Sequence, residues 1–141
     1  MKLVLDTTIL VAAIRSSAGA SRQLLLSALD EVYIFLASVP LVLEYEAVLT
    51  RPEHLAASGL NMQDVSDLLD SLISVARPVR LAFVWRPMLR DPNDDMVLEA
   101  AVNGQADAIV TFNRKDFNNV SPRFGIDILS PGEALKRIKT R

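Results

Sequence analysis

Short apolar runs alternate along this chain with longer stretches of helical periodicity. Lys2-Leu3-Val4-Leu5-Asp6 is an apolar run closed by a carboxylate, the pattern of a strand buried on both faces. Thr7 or Thr8 is placed to cap a helix running to Ile14, and Ser16–Ala20 reads as a loop of small residues. Arg22–Leu29 puts Leu25, Leu26 and Leu29 on one side of a helix. Val32–Ala37 reads as a second buried strand. Pro40 suits the first position of a helix to about Leu49, with Ser38 as the capping candidate and Arg51-Pro52 as the end. Asn61 opens an amphipathic helix over 62–75, with Val65, Leu68, Leu69, Leu72 and Ile73 at helical spacing. Pro78–Phe83 predicts a third short strand. Asp91-Pro92-Asn93 starts a helix that runs to Asn103 and stops at Gly104. Ala108–Thr111 and Ile126–Leu129 read as further strands. Ser130-Pro131-Gly132-Glu133 is a capping box that opens the last helix.

This alternation predicts an α/β fold, a three-layer α/β/α sandwich around a central, mainly parallel sheet. No repeat, low-complexity segment or linker interrupts it, so the 141 residues are expected to form a single domain, 1–141. Ligands of such sheets bind beyond the carboxyl ends of the strands. The residues that follow strands are therefore the ones to examine.

Composition narrows the chemistry. Half of the residues are hydrophobic and 23% are charged, which suits a buried core and excludes disorder. The absence of cysteine excludes disulfides, thiolate zinc sites, iron–sulfur clusters and cysteine nucleophiles. A single histidine, His54, excludes a multi-histidine metal site; it lies between two predicted helices and is assigned no role. The five glycines are too dispersed for GxGxxG or a P-loop. A net charge of −2 does not announce a general nucleic-acid binder. Residues 121–141 nevertheless carry five basic and two acidic groups, a pattern that complements the dipole at a helix end. The opening segment is not expected to be a signal peptide, because Asp6 leaves only Ile9–Ile14 as an apolar stretch before Arg15. No apolar run approaches a membrane span. A soluble cytoplasmic protein with no membrane partner is expected.

Four acidic groups stand out. Asp6 ends the first strand, on the ligand side. Glu44 flanks the stripe formed by Leu41, Tyr45, Val48 and Leu49 on a helical wheel, while Glu46 points away from it. Arg90-Asp91-Pro92-Asn93-Asp94-Asp95 puts two acids in the first turn of a helix, more than capping and the dipole require. Asn113 and Asp116 follow the strand ending at Thr111. Each has a bland reading as a cap, a snorkelling side chain or a polar turn. Together they bring acids from four segments towards one sheet edge. Two like charges about 4 Å apart repel by about 4 kcal/mol at an effective dielectric of about 20. Such a cluster is held by protonation or by a cation. Hard oxygen ligands select Mg²⁺ or Mn²⁺, and either ion can generate a nucleophilic water without a histidine base. The residues thus point to metal-dependent phosphoryl chemistry on a phosphodiester or phosphomonoester.

At these residues the chain resembles the PIN-domain family, in particular the VapC-type ribonuclease toxins of bacterial toxin–antitoxin pairs. Lys2-Leu3-Val4-Leu5-Asp6-Thr7 resembles the family's opening strand. Leu43-Glu44-Tyr45 through Leu49-Thr50-Arg51-Pro52 is similar to the segment with its acidic helix residue. Arg90–Asp95 resembles the third motif, with the main carboxylate on Asp94 and Asp95 as its neighbour. Ala106–Thr111, followed by Asn113 and Asp116-Phe117, resembles the fourth. Two positions depart from the pattern: Thr8 stands where Asn is frequent, and Asn113 where Asp is frequent. The resemblance implies a Mg²⁺- or Mn²⁺-dependent ribonuclease. Asp6, Glu44 and Asp94 would hold the ion, and Asp116 would complete the site. Thr7, Thr8, Asp95, Thr111 and Asn113 would line its surroundings. It also implies an RNA substrate, an antitoxin partner and a homodimer. Arg15, Arg86, Arg114, Lys115 and the basic tail are candidates for RNA backbone contacts. Phe112 and Phe117 are expected to pack in the core rather than stack a base.

Two rivals stay open. One is a phosphatase-type domain with an aspartyl nucleophile at Asp6, although Thr8 stands where such enzymes need a second acid. The other is a non-catalytic RNA-binding or assembly module, against which the retention of all four acids argues.

Overall fold

The computed structural model describes residues 1–82 and 92–140. Five short strands form the sheet: β1 (Lys2–Leu5), β2 (Ile34–Ala37), β3 (Arg77–Pro78), β4 (Ala108–Val110) and β5 (Asp127–Leu129). Their order is β3-β2-β1-β4-β5, and every pairing is parallel. Leu3, Val4 and Leu5 of β1 and Ala108, Ile109 and Val110 of β4 are wholly buried. Covering on both faces is why these strands are apolar without alternation.

Among the described residues eight α-helices flank the sheet in a three-layer α/β/α arrangement. They are α1 (Thr7–Arg15), α2 (Ala20–Leu29), α3 (Val39–Leu49), α4 (Pro52–Ser58), α5 (Met62–Val75), α6 (Pro92–Asn103), α7 (Val120–Phe124) and α8 (Pro131–Lys139). A single 3-10 turn spans Arg114–Phe117. Helix α6 packs on β1, β2 and β4 with α3 beside it, and α2 joins α1, α5 and α8. No described helix is long and apolar enough to cross a membrane.

The capping chemistry sets several boundaries. The Ser130–Glu133 box opens α8, and a reciprocal Asn61–Asp64 box opens α5. Ser38 caps α3 as expected, its hydroxyl accepting from the Leu41 N–H at 3.3 Å, but Val39 takes the first helical position and Pro40 the second. Neither Thr7 nor Thr8 caps α1. Asp6 is the capping position, extended at φ −62° and ψ 148°, so β1 passes into α1 without a loop. The buried side of α2 is one residue off the expected stripe: Leu24, Leu25 and Ala28 face the core, and Leu26 is half exposed.

Three elements differ more. Arg51-Pro52 does not only end α3. Arg51 caps a further helix, α4, which Pro52 opens and Gly59 closes in the left-handed region at φ 76°. The 3-10 turn and α7 follow β4 where a polar turn is expected, anchored by buried Phe117 and Val120. Phe117 packs as expected, but Phe112 is half exposed, since the wholly buried Thr111 beside it takes the inward position. The third strand is shorter than expected, and Phe83, Arg86, Arg90 and Asp91 lie outside the described residues.

Helix α6 does stop before Gly104, but the positive φ belongs to Gln105, at 54°. Glycine is needed at 104 for space. A Cβ there would lie 2.8 Å from the Ala100 carbonyl oxygen, 2.9 Å from Val79 Cγ2 and 3.0 Å from Leu36 Cδ1. The nearest obstacle is backbone and cannot rotate away. Gly104→Ala should therefore destabilise the fold by about 1–3 kcal/mol, read as a lower midpoint in equilibrium urea unfolding. An unchanged midpoint would mean that α6 shifts without penalty.

Candidate active site

The order of the strands reverses between β1 and β4, the crevice where open α/β sheets bind ligands. Leu5 pairs with Val110, and the Asp6 N–H donates to the Val110 carbonyl at 2.9 Å. Asp6 and Thr111 therefore leave the sheet side by side. The Thr111 hydroxyl donates to Asp6 Oδ2 at 2.7 Å, and the Thr8 hydroxyl donates to the same oxygen at 3.0 Å. Thr111 is itself held by the Asn113 N–H, which donates to its Oγ1 at 3.0 Å. From α3, the Tyr45 hydroxyl donates to the Leu5 carbonyl, so the end of β1 is fixed from a third side. Burial pushes the Asp6 carboxyl above its usual range, against the lowering pull of the Thr111 and Thr8 hydroxyls.

The other acids reach the same place from separate elements. On α3, Leu41, Tyr45, Val48 and Leu49 are buried, Glu44 beside them is half buried, and Glu46 is exposed. Asp94 is buried in the first turn of α6, where the helix dipole favours a carboxylate. Asp116 is exposed on the 3-10 turn. Asp6, Glu44, Asp94 and Asp116 all line one cavity of about 270 Å³. Thr7, Thr8 and Val11 of α1, Val48 of α3 and Asn113 complete much of its wall. Asp95 is buried but does not line the cavity, and Thr111 stands behind Asp6. Glu99, wholly buried one turn beyond Asp95, escaped the sequence reading and also lies away from the cavity.

Thr7 Oγ1 is buried and has no hydrogen-bond partner among the described residues. An unsatisfied buried hydroxyl costs about 1–3 kcal/mol. Thr7 is also one of the residues that line the cavity. Among the described residues no three Asp, Glu or His side chains form a ready-made coordination sphere. A water's share of liquid volume is about 30 Å³, so the cavity has room for an ion that keeps several waters. Mg²⁺ is bound in that way, through one or two carboxylates.

Two polar lining residues were missed from the sequence, Arg51 and His54, along with the apolar Val11 and Val48. The signal was present, since proline at 52 and glycine at 59 bracket a short helix and Arg51 falls two turns beyond Glu44. A second hollow, about 350 Å³, lies between the 3-10 turn, β5 and α8. Its charges are already paired, Arg114 with Glu133 at 2.9 Å and Arg137 with Asp127 at 2.6 Å. Arg114 is thus engaged within the fold, also donating to the Ile128 carbonyl at 3.2 Å.

The raised Asp6 pKa has a definite sign in stability. Folding disfavours the charged carboxylate, so the penalty is absent below the ordinary 3.8, grows between there and the raised folded value, and is fully present above it. In chelator, Asp6→Asn should melt above wild type at neutral pH, and the gap should narrow as the pH falls towards 3.8. Equal melting temperatures across that range would contradict the assignment of burial as the dominant influence.

The family model described as PIN domain matches residues 2–115. No curated protein matches the sequence. The matched span runs from β1 into the 3-10 turn and contains Asp6, Glu44 and Asp94, with Asp116 one residue beyond it. PIN domains are typically nucleases and generally use divalent metals. Matched over most of its length, on the sheet order and crevice just described, this chain belongs to the PIN-domain family.

Proposed function

We propose that the protein is a Mg²⁺- or Mn²⁺-dependent endoribonuclease, acting as the toxin of a toxin–antitoxin pair. One observation carries the reading: carboxylates from four separate segments line a single cavity at the crevice of the sheet. The donor set fits a hard divalent ion, being all oxygen, with the unpartnered Thr7 hydroxyl beside it. Asp6, Glu44, Asp94 and Asp116 would hold the ion. Bound there, it supplies Lewis acidity to a phosphodiester and acidity to an attacking water.

The chain's own residues prepare that chemistry. Thr8 and Thr111 hold one oxygen of Asp6 and leave its orientation no freedom. Thr8 thus performs, with a hydroxyl, the orienting task expected at the position where the family often has Asn. Asp94 is fixed by the start of α6 and Glu44 by the buried stripe of α3. Asp116 stands at the exposed side, where a strand enters. Single-domain organisation over 1–141, a homodimer and an antitoxin partner in the cytoplasm belong to the same proposal. Val39 and Leu43 support a partner, being exposed one turn apart on α3.

The test is cleavage of total cellular RNA by purified protein with Mn²⁺, with Mg²⁺ and with chelator, beside Asp94→Asn purified identically. Wild type should cleave only with metal, and Asp94→Asn should lose about 100-fold or more, beyond what outer-sphere changes at metal sites cost. Binding without cleavage by wild type in either metal would replace the nuclease reading with the RNA-binding module.

A further inference from the structure

The cavity is lined by four carboxylates, yet a nuclease must bring a polyanion to it. Among the described residues that line it, Arg51 is the one permanent cation. Its backbone is fixed on both sides. The Arg51 N–H donates to the Val48 carbonyl at 3.1 Å, and its own carbonyl accepts from His54 and Leu55 at 3.0 and 3.1 Å. Its side chain is exposed and makes no hydrogen bond or ion pair with the described residues, although four acids share its cavity. His54, half buried, lines the same wall one turn along α4.

Arg15, at the end of α1, does not line the cavity but reaches His54. Its Nη1 lies 3.5 Å from His54 Nδ1. A guanidinium only donates, and both ring nitrogens of an imidazole can serve a hydrogen bond. Geometry puts this group of donors at one end of the acidic cavity. Glu44 and Val48 are one turn apart on α3 and Arg51 lies just past its end, while Thr8, Val11 and Arg15 follow one another by turns along α1. Seven residues of helix rise about 10 Å, so Arg15 stands about that far along α1 from Thr8, and Arg51 lies past the end of α3 that carries Glu44.

We propose that Arg51, with Arg15 and His54, is the seat for the substrate phosphate next to the scissile one, and that the strand runs from it along the crevice between α1 and α3. This deepens the ribonuclease reading and depends on it. Arg51 is a binding and positioning residue here, compensating locally for the repulsion that the carboxylates exert on the strand.

The experiment measures binding of a fluorescent single-stranded RNA of mixed sequence, in Ca²⁺, over a salt series. The proteins are wild type, Asp94→Asn, Arg51→Ala, Arg51→Lys and His54→Gln, each checked by its melting temperature. Arg51→Ala should weaken binding about fivefold to tenfold and flatten the slope of log K against log salt by about 0.7, one phosphate contact on a single strand. Arg51→Lys should restore the slope, and His54→Gln should weaken binding with the slope unchanged. Asp94→Asn serves only as the cleavage control and should fail to cleave with Mg²⁺. Wild-type affinity and slope in a folded Arg51→Ala, with wild type still cleaving, would overturn this proposal alone. If wild type neither binds nor cleaves RNA, the ribonuclease reading falls and the proposal with it.

Discussion

A hydrogen bond between residues 105 positions apart, from the Thr111 hydroxyl to Asp6, ties the first strand of the chain to the fourth at the point where the sheet changes direction. The parallel register of Leu5 with Val110 makes it possible, since residues that follow paired positions leave the sheet together. With Thr8 on the same oxygen, the bond lets a carboxylate remain where burial works against its charge. The rest of the crevice takes its place from this fixed point. Helix α1 starts on Asp6 itself, and α3 is held to the preceding carbonyl through Tyr45. Helix α6, packed on both strands, brings Asp94 alongside.

Much of this was legible because it depends on short-range rules. A carboxylate after an apolar run is at a strand end, and acids before an apolar helical run are in its first turn. Glu44 was separable from Glu46 because the wheel of α3 has one well-defined apolar stripe. The capping of α5 and α8 followed from side-chain chemistry within four residues. Arg51 and His54 were harder, since Pro52 both ends one helix and starts the next, and its stopping role masked its opening one. Phe112 was misplaced for a related reason: pattern alone does not say where a three-residue strand stops alternating. Asp95 and Glu99 illustrate the limit on the other side. On a helix buried nearly all round, an acid is no longer marked by the face it occupies.

The distribution of charge follows from the task. The chain is slightly acidic overall, and its basic tail is engaged elsewhere, with Arg137 paired to Asp127 and the last turn of α8 complementing its dipole. Among the described residues no general basic surface draws in a polyanion. Attraction has to be local, and the crevice is the place where it is needed and opposed most strongly. An all-carboxylate cavity would repel RNA whenever it lacked a cation, while a cavity rich in arginine would close on itself through ion pairs, as Arg114 and Glu133 do nearby. Setting Arg51 two turns beyond Glu44 avoids both outcomes.

That arrangement also couples the two ligands of the proposed enzyme. A divalent ion lowers the negative potential that the strand meets, and a strand phosphate adds oxygen ligands that favour the ion. By linkage each must strengthen the other's binding by the same factor. The coupling demands that the carboxylates leave the ion incompletely enclosed. A tight preformed cage would bind metal well and leave nothing for the substrate to complete. The acidic wall, and the Thr7 hydroxyl and Arg51 side chain that have no partner among the described residues, are then aspects of one constraint. The site is built to be finished by what it binds, and its rigidity is supplied from behind by Thr8, Thr111 and Tyr45 rather than by contacts across the cavity.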